Sequence, residues 1–282
     1  MNHEPMSTTS ASLPLLQHAL DSASAFTPER LMDAVRTERG LALEAVPPLC
    51  VLDFDGDLSD RLAEEGISSP VASWACFHTS MRVMTLDGLS CGIVPRTIGG
   101  PYAVLVAEQL WAAGAKLVVG MTSAGRVSPT LPLPSIVVID EAVRDEGTSL
   151  HYLPPSATVA TPTPRFADWL TQELRALRIP VSRGAAWTTD APYRETPEQL
   201  RAWAERGVLA VEMQAASLFA FARAREAHVG MVALVSNGVD QVGGQFDTGG
   251  HEFRVDILAA VARAAQAYIR PSQDSGPTGI IK

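Results

Sequence analysis

The chain alternates short, mostly apolar runs with stretches of helical periodicity. The runs at residues 49–53, 116–120 and 229–236 are typical of strands in a sheet that is covered on both faces. In the stretches between such runs, apolar side chains recur three and four residues apart, as on the buried face of a helix. Strands that alternate with helices build an α/β domain. The pattern therefore predicts a single domain of three layers, with a mixed central sheet flanked by helices.

Local signals predict the remaining elements. Asp87-Gly88 lies between two alternating segments, which predicts a β-hairpin over residues 73–94. Thr27 followed by Pro28 predicts the start of a helix ahead of the main domain. Further strands are predicted at 135–143, 181–188 and 208–211, and helices at 101–113, 164–177, 197–206, 215–222 and 251–269.

These elements divide the chain into three regions. Residues 1–45 are expected to form an N-terminal extension that is partly disordered and carries one or two helices, since its first residues are small, polar and interrupted by proline. The α/β domain is predicted over residues 46–270. Residues 271–282 are expected to be a flexible tail.

Charge and cysteine usage exclude several classes of protein. The 282 residues hold 22 Lys and Arg against 31 Asp and Glu, a net charge of −9, so we expect no nucleic-acid partner. No apolar run approaches the roughly 18 residues of a membrane span and no signal-peptide pattern is present, which predicts a cytoplasmic protein without a membrane partner. Cys50, Cys76 and Cys91 lack C-x-x-C spacing, and the histidines lack ligand spacing, so we expect buried thiols and no metal.

Small residues and backbone donors are concentrated where predicted strands end. The loops at 55–57, 97–101 and 121–125 are rich in Gly, Ser, Thr and Asp. Gly99 and Gly100 precede a helix that begins with proline, an arrangement that leaves backbone N–H groups available to an anion. Three such loops at strand ends predict one composite site for a small molecule.

A polar trio marks a further strand end. Glu212, Met213 and Gln214 separate an apolar strand from a helix within residues 208–222. In open α/β sheets, ligands bind at this edge because loops there present side chains together with free helix N–H groups. Taken alone, the trio has a simpler interpretation, in which Glu212 complements the helix dipole and Met213 fills a gap in the core.

Four segments together resemble the nucleoside phosphorylases of the uridine phosphorylase and hexameric purine nucleoside phosphorylase kind. They read TIGGPYAVLVAEQLWAAGAKLVVGMTSAG (97–125), EAVRDEGTSLHYLPP (141–155), TTDAPY (188–193) and VEMQAASLFAFA (211–222). The resemblance covers roughly residues 48–268. It implies a barrel-like central sheet and self-association as a dimer or hexamer. It also implies a nucleoside as substrate and no cofactor, with inorganic phosphate as co-substrate.

The resemblance implies roles in holding the sugar and its attacking group. Ser123 matches the hydroxyl that holds phosphate, or another attacking group, beneath the sugar. Met213 matches the methionine packed against the ribose, and Gln214 stands where the family has a glutamate that accepts from the 2′- and 3′-hydroxyls. An amide accepts through one atom and donates through the other. The change either indicates a deoxy or modified sugar, or leaves the acceptor role to Glu212.

Other positions match the base pocket. Pro192 and Tyr193 fall where aromatic residues line it, and Trp187 is a further aromatic candidate, although an aromatic side chain beside a strand end is more often part of the core. Asn237 stands where purine-specific members carry an aspartate that protonates the base. An amide cannot supply that proton but can bond a purine N7 or a pyrimidine carbonyl, so the base stays open.

The phosphate site departs furthest from the family. Arginines are replaced at three places, by Gly120, by Leu58-Ser59-Asp60 and, in a region supplied by a neighbouring subunit, by Cys76-Phe77-His78. Each lost charge-assisted hydrogen bond is worth roughly 1.5–3 kcal/mol. We hypothesise a rebuilt phosphate site from Arg96, Ser123, Gly56 and the partner subunit's His78. The alternative is that Arg96 is a surface residue at the end of a strand.

Three functions are consistent with the sequence. The first is a nucleoside phosphorylase, a pentosyltransferase that gives a free base and a pentose 1-phosphate. The second is a phosphate-independent nucleosidase of the same fold, because loss of the phosphate arginines also suits hydrolysis. The third is a non-catalytic nucleoside-binding protein, since amides replace carboxylates at Gln214 and Asn237.

Overall fold

The computed structural model describes residues 13–238 and 251–270. In these ranges the strands are β1 (Leu49–Asp53), β2 (Ser69–Pro70), β3 (Arg82–Leu86), β4 (Leu89–Pro95), β5 (Leu117–Arg126), β6 (Ser135–Asp145), β7 (Thr158–Ala160), β8 (Val181–Thr189), β9 (Ala210–Glu212) and β10 (Val229–Gly238). The helices are α1 (Pro28–Arg39), α2 (Asp57–Glu64), α3 (Gly100–Ala112), α4 (Pro164–Leu174), α5 (Pro197–Glu205), α6 (Ala215–Ala224) and α7 (His251–Ile269).

Five strands close into a barrel, and the rest of the sheet extends from it. The order β10-β6-β8-β9-β5 returns to its start because β5 also pairs with β10. From β5 the sheet continues through β1 and β4 to the β3–β4 hairpin, while β7 pairs with β6. Parallel pairs such as β1–β5 and antiparallel pairs such as β6–β10 occur together. The prediction of a mixed, barrel-like sheet in a single α/β domain is confirmed.

Helices cover both faces of the sheet. One apolar cluster joins α3 and α6 to the strands through Leu110 and Phe219, both fully buried. The other joins α2, α4 and α7 through Leu62, Phe166 and Val261. Strands buried between two helical layers can be apolar along their whole length, which explains the continuous apolar sequence of β1 and of the first part of β5.

Two predicted elements differ markedly from those observed. The hairpin turn is confirmed, since Asp87 and Gly88 both adopt positive φ (49° and 80°), as a two-residue turn requires. Its first arm was predicted to begin at residue 73, but β3 begins at Arg82, because the preceding residues form turns such as that closed by Trp74 N–H and the Val71 carbonyl (3.3 Å). The predicted loop at 121–125 is instead the second half of β5, paired with β10 and β9.

The N-terminal extension contains a helix, as predicted. Thr27 caps α1 by accepting the Arg30 N–H, and Pro28 occupies the first turn. Met32 and Val35 of this helix are buried against Ala75. Residues 1–12 of the expected disordered start and residues 271–282 of the expected tail lie outside the described residues. In the ranges that the structure does describe, no helix is long and apolar enough to cross a membrane.

Candidate active site

The loop after β1 is bonded to the middle of β5. Asp55 accepts two hydrogen bonds from Ser123, one from its N–H (3.1 Å, to Oδ2) and one from its hydroxyl (3.0 Å, to Oδ1). Arg254 of α7 donates to the same carboxylate from Nη2 (2.9 Å). The Arg254 side chain is 3% exposed and that of Asp55 is 17% exposed. The Ser123 donors therefore already hold a carboxylate, and a buried guanidinium balances its charge.

Asp53 organises the same loop from within the core. Its carboxylate accepts the N–H groups of Gly56 (3.2 Å) and Ser59 (2.8 Å) at the start of α2. Burial raises the pKa of Asp53, while these N–H donors and the positive charge of Arg254 oppose that rise. Gly56 has φ +91°, and a Cβ there would come within 2.8 Å of the Arg96 side chain. Glycine is therefore needed at this turn for both conformation and space.

Gln214 joins two of the predicted loops. Its Oε1 accepts the Gly99 N–H (2.9 Å), and its Nε2 donates to the hydroxyl of Thr122 (3.2 Å), the residue before Ser123. Gln214 is 1% exposed, so the amide is a buried link with both ends satisfied. Positions 92 residues apart in sequence thus meet at one edge of the barrel, as a composite site requires.

Glu212 is directed into the protein. Its Oε1 accepts from the Thr188 hydroxyl (2.5 Å), and its Oε2 accepts the N–H groups of Gln214 (2.7 Å) and Ala215 (2.8 Å) at the start of α6. Burial raises its pKa to about 7 against the effect of these hydrogen bonds, with nearby Glu146 adding to the rise. Glu212 caps the helix in this structure, and the sugar-acceptor role that we considered for it does not fit its buried orientation. Of the trio, Met213 is the side chain that is partly exposed.

The candidates for the base pocket do not all lie together: Trp187 is in the core, whereas the others are at least partly exposed. Trp187 is 1% exposed, packs beside Trp203 (ring centroids 6.2 Å apart) and donates from Nε1 to Asp145 (3.0 Å). Its environment is therefore the core, the alternative noted from the sequence. Pro192 and Tyr193 form a short 3₁₀ turn after β8, where Tyr193 is fully exposed. Asn237, partly exposed near the end of β10, donates to the Ser236 hydroxyl (3.2 Å).

Two candidates for the phosphate site line one open cavity of the same chain. Arg96 and His78 both border a cavity of about 380 Å³ that Arg39 and Tyr102 also line. The Arg96 guanidinium forms an ion pair with Asp60, and both side chains are more than half exposed (58% and 52%). The pKa of Arg96 is raised mainly by its hydrogen bond to Asp60. In this chain, Arg96 is thus a surface residue with an acidic partner, and His78 lies beside it without a second subunit.

The space beside Gly120 is filled. A Cβ at this position would overlap the Met231 sulfur and come within 2.8 Å of the Phe54 ring. The side chain that family members carry at this strand position therefore has no room here. Phe54 and Met231, both about 1% exposed, occupy that volume with apolar atoms.

Sequence reasoning missed three charged groups of the site. Asp55 was seen only as part of a turn, and Arg254, 199 residues away along the chain, lies on a helix whose pattern gave no sign of it. Glu146 accepts from the Ser217 hydroxyl (2.6 Å) and the Ser149 N–H (2.9 Å), linking the loop after β6 to α6. A charged residue two positions after the end of a buried strand was the available signal for Asp55. Among the described side chains, no group of three His, Cys, Asp or Glu residues is placed to hold a metal ion.

Comparison with known proteins agrees with this arrangement. The fold defines an α/β protein in which several loops meet at one edge of a closed barrel. The family model described as "Phosphorylase superfamily" matches residues 49–271. The chain belongs to the phosphorylase superfamily, which confirms the resemblance inferred from its motifs.

Several curated relatives carry specific names. Over 156 residues the chain is 28% identical to a guanosine phosphorylase of Halorubrum lacusprofundi, covering 54% of this chain and 63% of the relative. It is 27% identical over 194 residues to the uridine phosphorylase of Treponema pallidum, with 63% and 75% covered. A purine nucleoside phosphorylase of Plasmodium vivax is 26% identical over 159 residues, with 54% and 62% covered. The relatives are named for both purine and pyrimidine substrates, so they do not select a base.

Proposed function

We propose that this protein cleaves the N-glycosidic bond of a purine or pyrimidine nucleoside and transfers the pentosyl group to a small acceptor. The observation that carries this proposal is the hydrogen bond between Gln214 and Thr122, which sets the 213–214 junction beside Ser123. Ser123 and Met213 then lie near each other, where the second half of β5 pairs with β9. Family membership and the names of the relatives support a nucleoside as substrate.

The proposed roles follow from position and chemistry. Bond cleavage gives the sugar oxocarbenium character, so the protein must hold the ribose, position the acceptor and stabilise the leaving base. We assign ribose contact to Met213, acceptor positioning to Ser123, and contact with the leaving base to Asn237, with Pro192 and Tyr193 at the edge of the pocket. Gln214, whose amide is bonded to Gly99 and Thr122, is assigned as a positioning residue. A cytoplasmic location, a homo-oligomer and the lack of a cofactor remain predictions.

Phosphate is the acceptor that the relatives' names suggest. A site for it would draw on Ser123, Gly56, His78 and Arg96, and the cationic cavity shared by His78 and Arg96 supports such a site. Arg96→Ala tests this candidate. If Arg96 binds phosphate, the variant raises the KM for phosphate at least tenfold. An unchanged phosphate requirement and KM would exclude a direct role.

Water is the second candidate, and the hydrogen bonds of the loops favour it. The N–H of Gly56 is bonded to Asp53, that of Gly99 to Gln214 and that of Ser123 to Asp55. These three backbone donors are thus bonded to oxygens of the protein's own side chains. Phosphate would have to displace these oxygens and lie beside the Asp55 carboxylate, where like charges repel.

A product assay separates these candidates. The enzyme is incubated with a panel of purine and pyrimidine ribo- and 2′-deoxyribonucleosides, with and without inorganic phosphate, and both the base and the sugar product are measured. Pentose 1-phosphate formed only with phosphate indicates phosphorolysis, whereas free pentose formed in its absence indicates hydrolysis. Tight nucleoside binding without turnover in either buffer would contradict the proposed function and indicate the non-catalytic alternative.

A further inference from the structure

We propose that a cavity at the start of β5 and β10 is a second binding site, which takes a small molecule that joins a flat aromatic ring to an anionic group. The cavity has a volume of about 700 Å³ and is bordered by residues of α3, α4 and α7. Sites for small organic ligands usually measure about 300–1,000 Å³, so the cavity is large enough for such a molecule.

The cavity lies at the opposite end of these two strands from the candidate active site. Lys116 and His228, which border it, come directly before β5 and β10 begin. Ser123 and Asn237 lie in the second halves of the same strands. The stretch of β5 from Leu117 to Ser123 alone spans roughly 20 Å. A ligand in the cavity is therefore separate from a nucleoside bound beside Ser123.

Three aromatic side chains border the cavity. The His228 ring contacts those of Trp111 and Tyr268, with centroids 5.7 Å and 5.5 Å away, and its Nδ1 is hydrogen-bonded to the Tyr268 hydroxyl (2.5 Å). All three side chains are partly exposed. Burial lowers the pKa of His228 and raises that of Tyr268, so both rings are neutral at neutral pH. A flat aromatic ligand can pack against these rings in an offset-stacked or edge-to-face arrangement.

Two positive charges border the same cavity. Lys116 and Arg165 are both exposed, and in the part of the chain that the structure describes neither forms an ion pair. Arg165 lies over the Trp169 ring, 5.1 Å from its centroid. The described residues that border the cavity include no Asp or Glu. Glu226 borders an adjoining cavity, where the charge of Arg223 offsets it. The lining is thus cationic in a chain of net charge −9, which favours an anionic ligand.

The aromatic and cationic features together define the class of ligand. Trp111 can hold an aromatic ring by its face. Lys116 and Arg165 can hold a carboxylate, sulfonate or phosphate group through charge-assisted hydrogen bonds. A neutral aromatic compound would use only the first feature and inorganic phosphate only the second. A compound that joins the two should therefore bind more tightly than either.

Calorimetric titration of the full chain with matched probes tests the ligand class. 1-Naphthoate carries both the ring and the charge, 1-naphthamide carries the ring alone, and inorganic phosphate carries the charge alone. 1-Naphthoate should bind once per chain and about tenfold or more tightly than the other two, because it alone can add charge-assisted hydrogen bonds to ring packing. Equal affinities for 1-naphthoate and 1-naphthamide, or no binding of 1-naphthoate, would overturn the inference.

Single substitutions test the location of the probe. Arg165→Gln and Lys116→Gln should each weaken 1-naphthoate binding about fivefold or more, with little change for 1-naphthamide. Arg175→Gln is the matched control, because Arg175 is exposed at the opposite end of α4. Trp111→Phe keeps an aromatic ring and should remove the change in tryptophan fluorescence that accompanies binding. If Arg165→Gln and Lys116→Gln bind 1-naphthoate as tightly as Arg175→Gln does, the inference is wrong.

A competition experiment separates this inference from the proposed nucleoside cleavage. Uridine and inosine should not displace 1-naphthoate, because the candidate active site lies at the other end of the strands. Arg165→Gln should cleave nucleosides at the wild-type rate, since Arg165 has no part in the proposed reaction. Displacement of 1-naphthoate by either nucleoside would place the probe at the candidate active site. That result would overturn the second site while supporting nucleoside binding at the first.

Discussion

At the scale of single residues, the structure explains why an amide stands at position 214. Its Oε1 accepts from the Gly99 N–H, and its Nε2 donates to Thr122, whose own hydroxyl hydrogen is directed to the Ser123 carbonyl (2.7 Å). A carboxylate could accept from Gly99 but could not donate to Thr122. Gln214 therefore links the segment at Gly99 to the segment at Thr122. Comparing this position with the glutamate of the family did not reveal that role.

Gln214→Glu should destabilise the fold. The substitution removes the donor to Thr122 and places a second carboxylate beside Glu212, whose Oε2 lies 3.5 Å from the present Nε2. The free energy of unfolding should fall by about 1–3 kcal/mol, the usual effect of losing a buried hydrogen bond. Urea denaturation at pH 8 measures it. Gln199→Glu is the matched control, because Gln and Glu serve equally at the third position of a capping box.

Glu212 should make stability depend on pH. Its pKa is raised by burial from 4.5 to about 7, so the folded state holds its proton more tightly than the unfolded state. The stability gained from this group is complete below about pH 4.5 and is lost as pH rises through about 7. Glu212→Gln, which mimics the protonated form, should reduce the fall in unfolding free energy over this window.

The control for this experiment accounts for a second group. Burial also raises the pKa of Glu195 to about 7, so part of the slope will persist in the variant. The Glu212 contribution is the difference between the wild-type and variant curves from urea denaturation at several pH values. The same substitution at exposed Glu205 controls for the loss of a surface carboxylate. A Glu212→Gln curve as steep as the wild-type curve would contradict the prediction.

At the scale of elements, the sequence predicted helix starts and turns correctly where the hydrogen-bond partners lie within a few residues of each other. Thr27 and Thr196 both cap helices that begin with proline, and the Asp87-Gly88 turn has the expected positive φ angles. The extent of β5 was not predictable in the same way. The small residues at 121–125 suggested a loop. They belong to the strand because they pair with β10 on one side and β9 on the other.

Thr196→Ala tests the strength of one local signal. In the capping box of α5, the Thr196 hydroxyl accepts the Gln199 N–H (3.2 Å), and the Gln199 side chain accepts the Thr196 N–H (3.0 Å). Loss of the hydroxyl should lower the unfolding free energy by about 1 kcal/mol, seen as a lower melting temperature. Thr196→Ser keeps the acceptor and should stay close to wild type. Equal melting temperatures for the Ala and Ser variants would show that the cap contributes little.

At the scale of the whole molecule, closure of the barrel brings strands and layers close enough to require glycine. A Cβ at Gly120 would overlap Met231 of β10 and crowd Phe54, and a Cβ at Gly230 would come within 2.4 Å of the Phe166 ring of α4. These glycines are needed for packing, because the interior is as dense as an organic crystal and cannot absorb an added methyl group without strain.

Gly120→Ala should therefore cost stability. Overpacking of a filled core typically costs about 1–3 kcal/mol, and chemical denaturation of the variant should show a loss of this size. Gly147→Ala is the control, since a Cβ there meets its nearest neighbour at 3.8 Å and Gly147 has φ −91°. For the same reason, Gly120→Arg should destabilise the protein without creating phosphate dependence. Wild-type stability of Gly120→Ala would contradict this account of the packing.

The sequence by itself determined the fold class, most element positions and the family. These properties depend on apolar periodicity, on turn and cap residues, and on motifs, each of which involves residues that are close together in the sequence. Tertiary structure alone decided the contacts between distant residues. It joined Asp55 to Ser123 and Arg254, placed Gln214 between two loops, and turned Glu212 into the core. Hydrogen bonds between side chains 68 to 199 residues apart exist only in the folded protein, because pairing of β1 with β5 and packing of α7 against the sheet bring these side chains together.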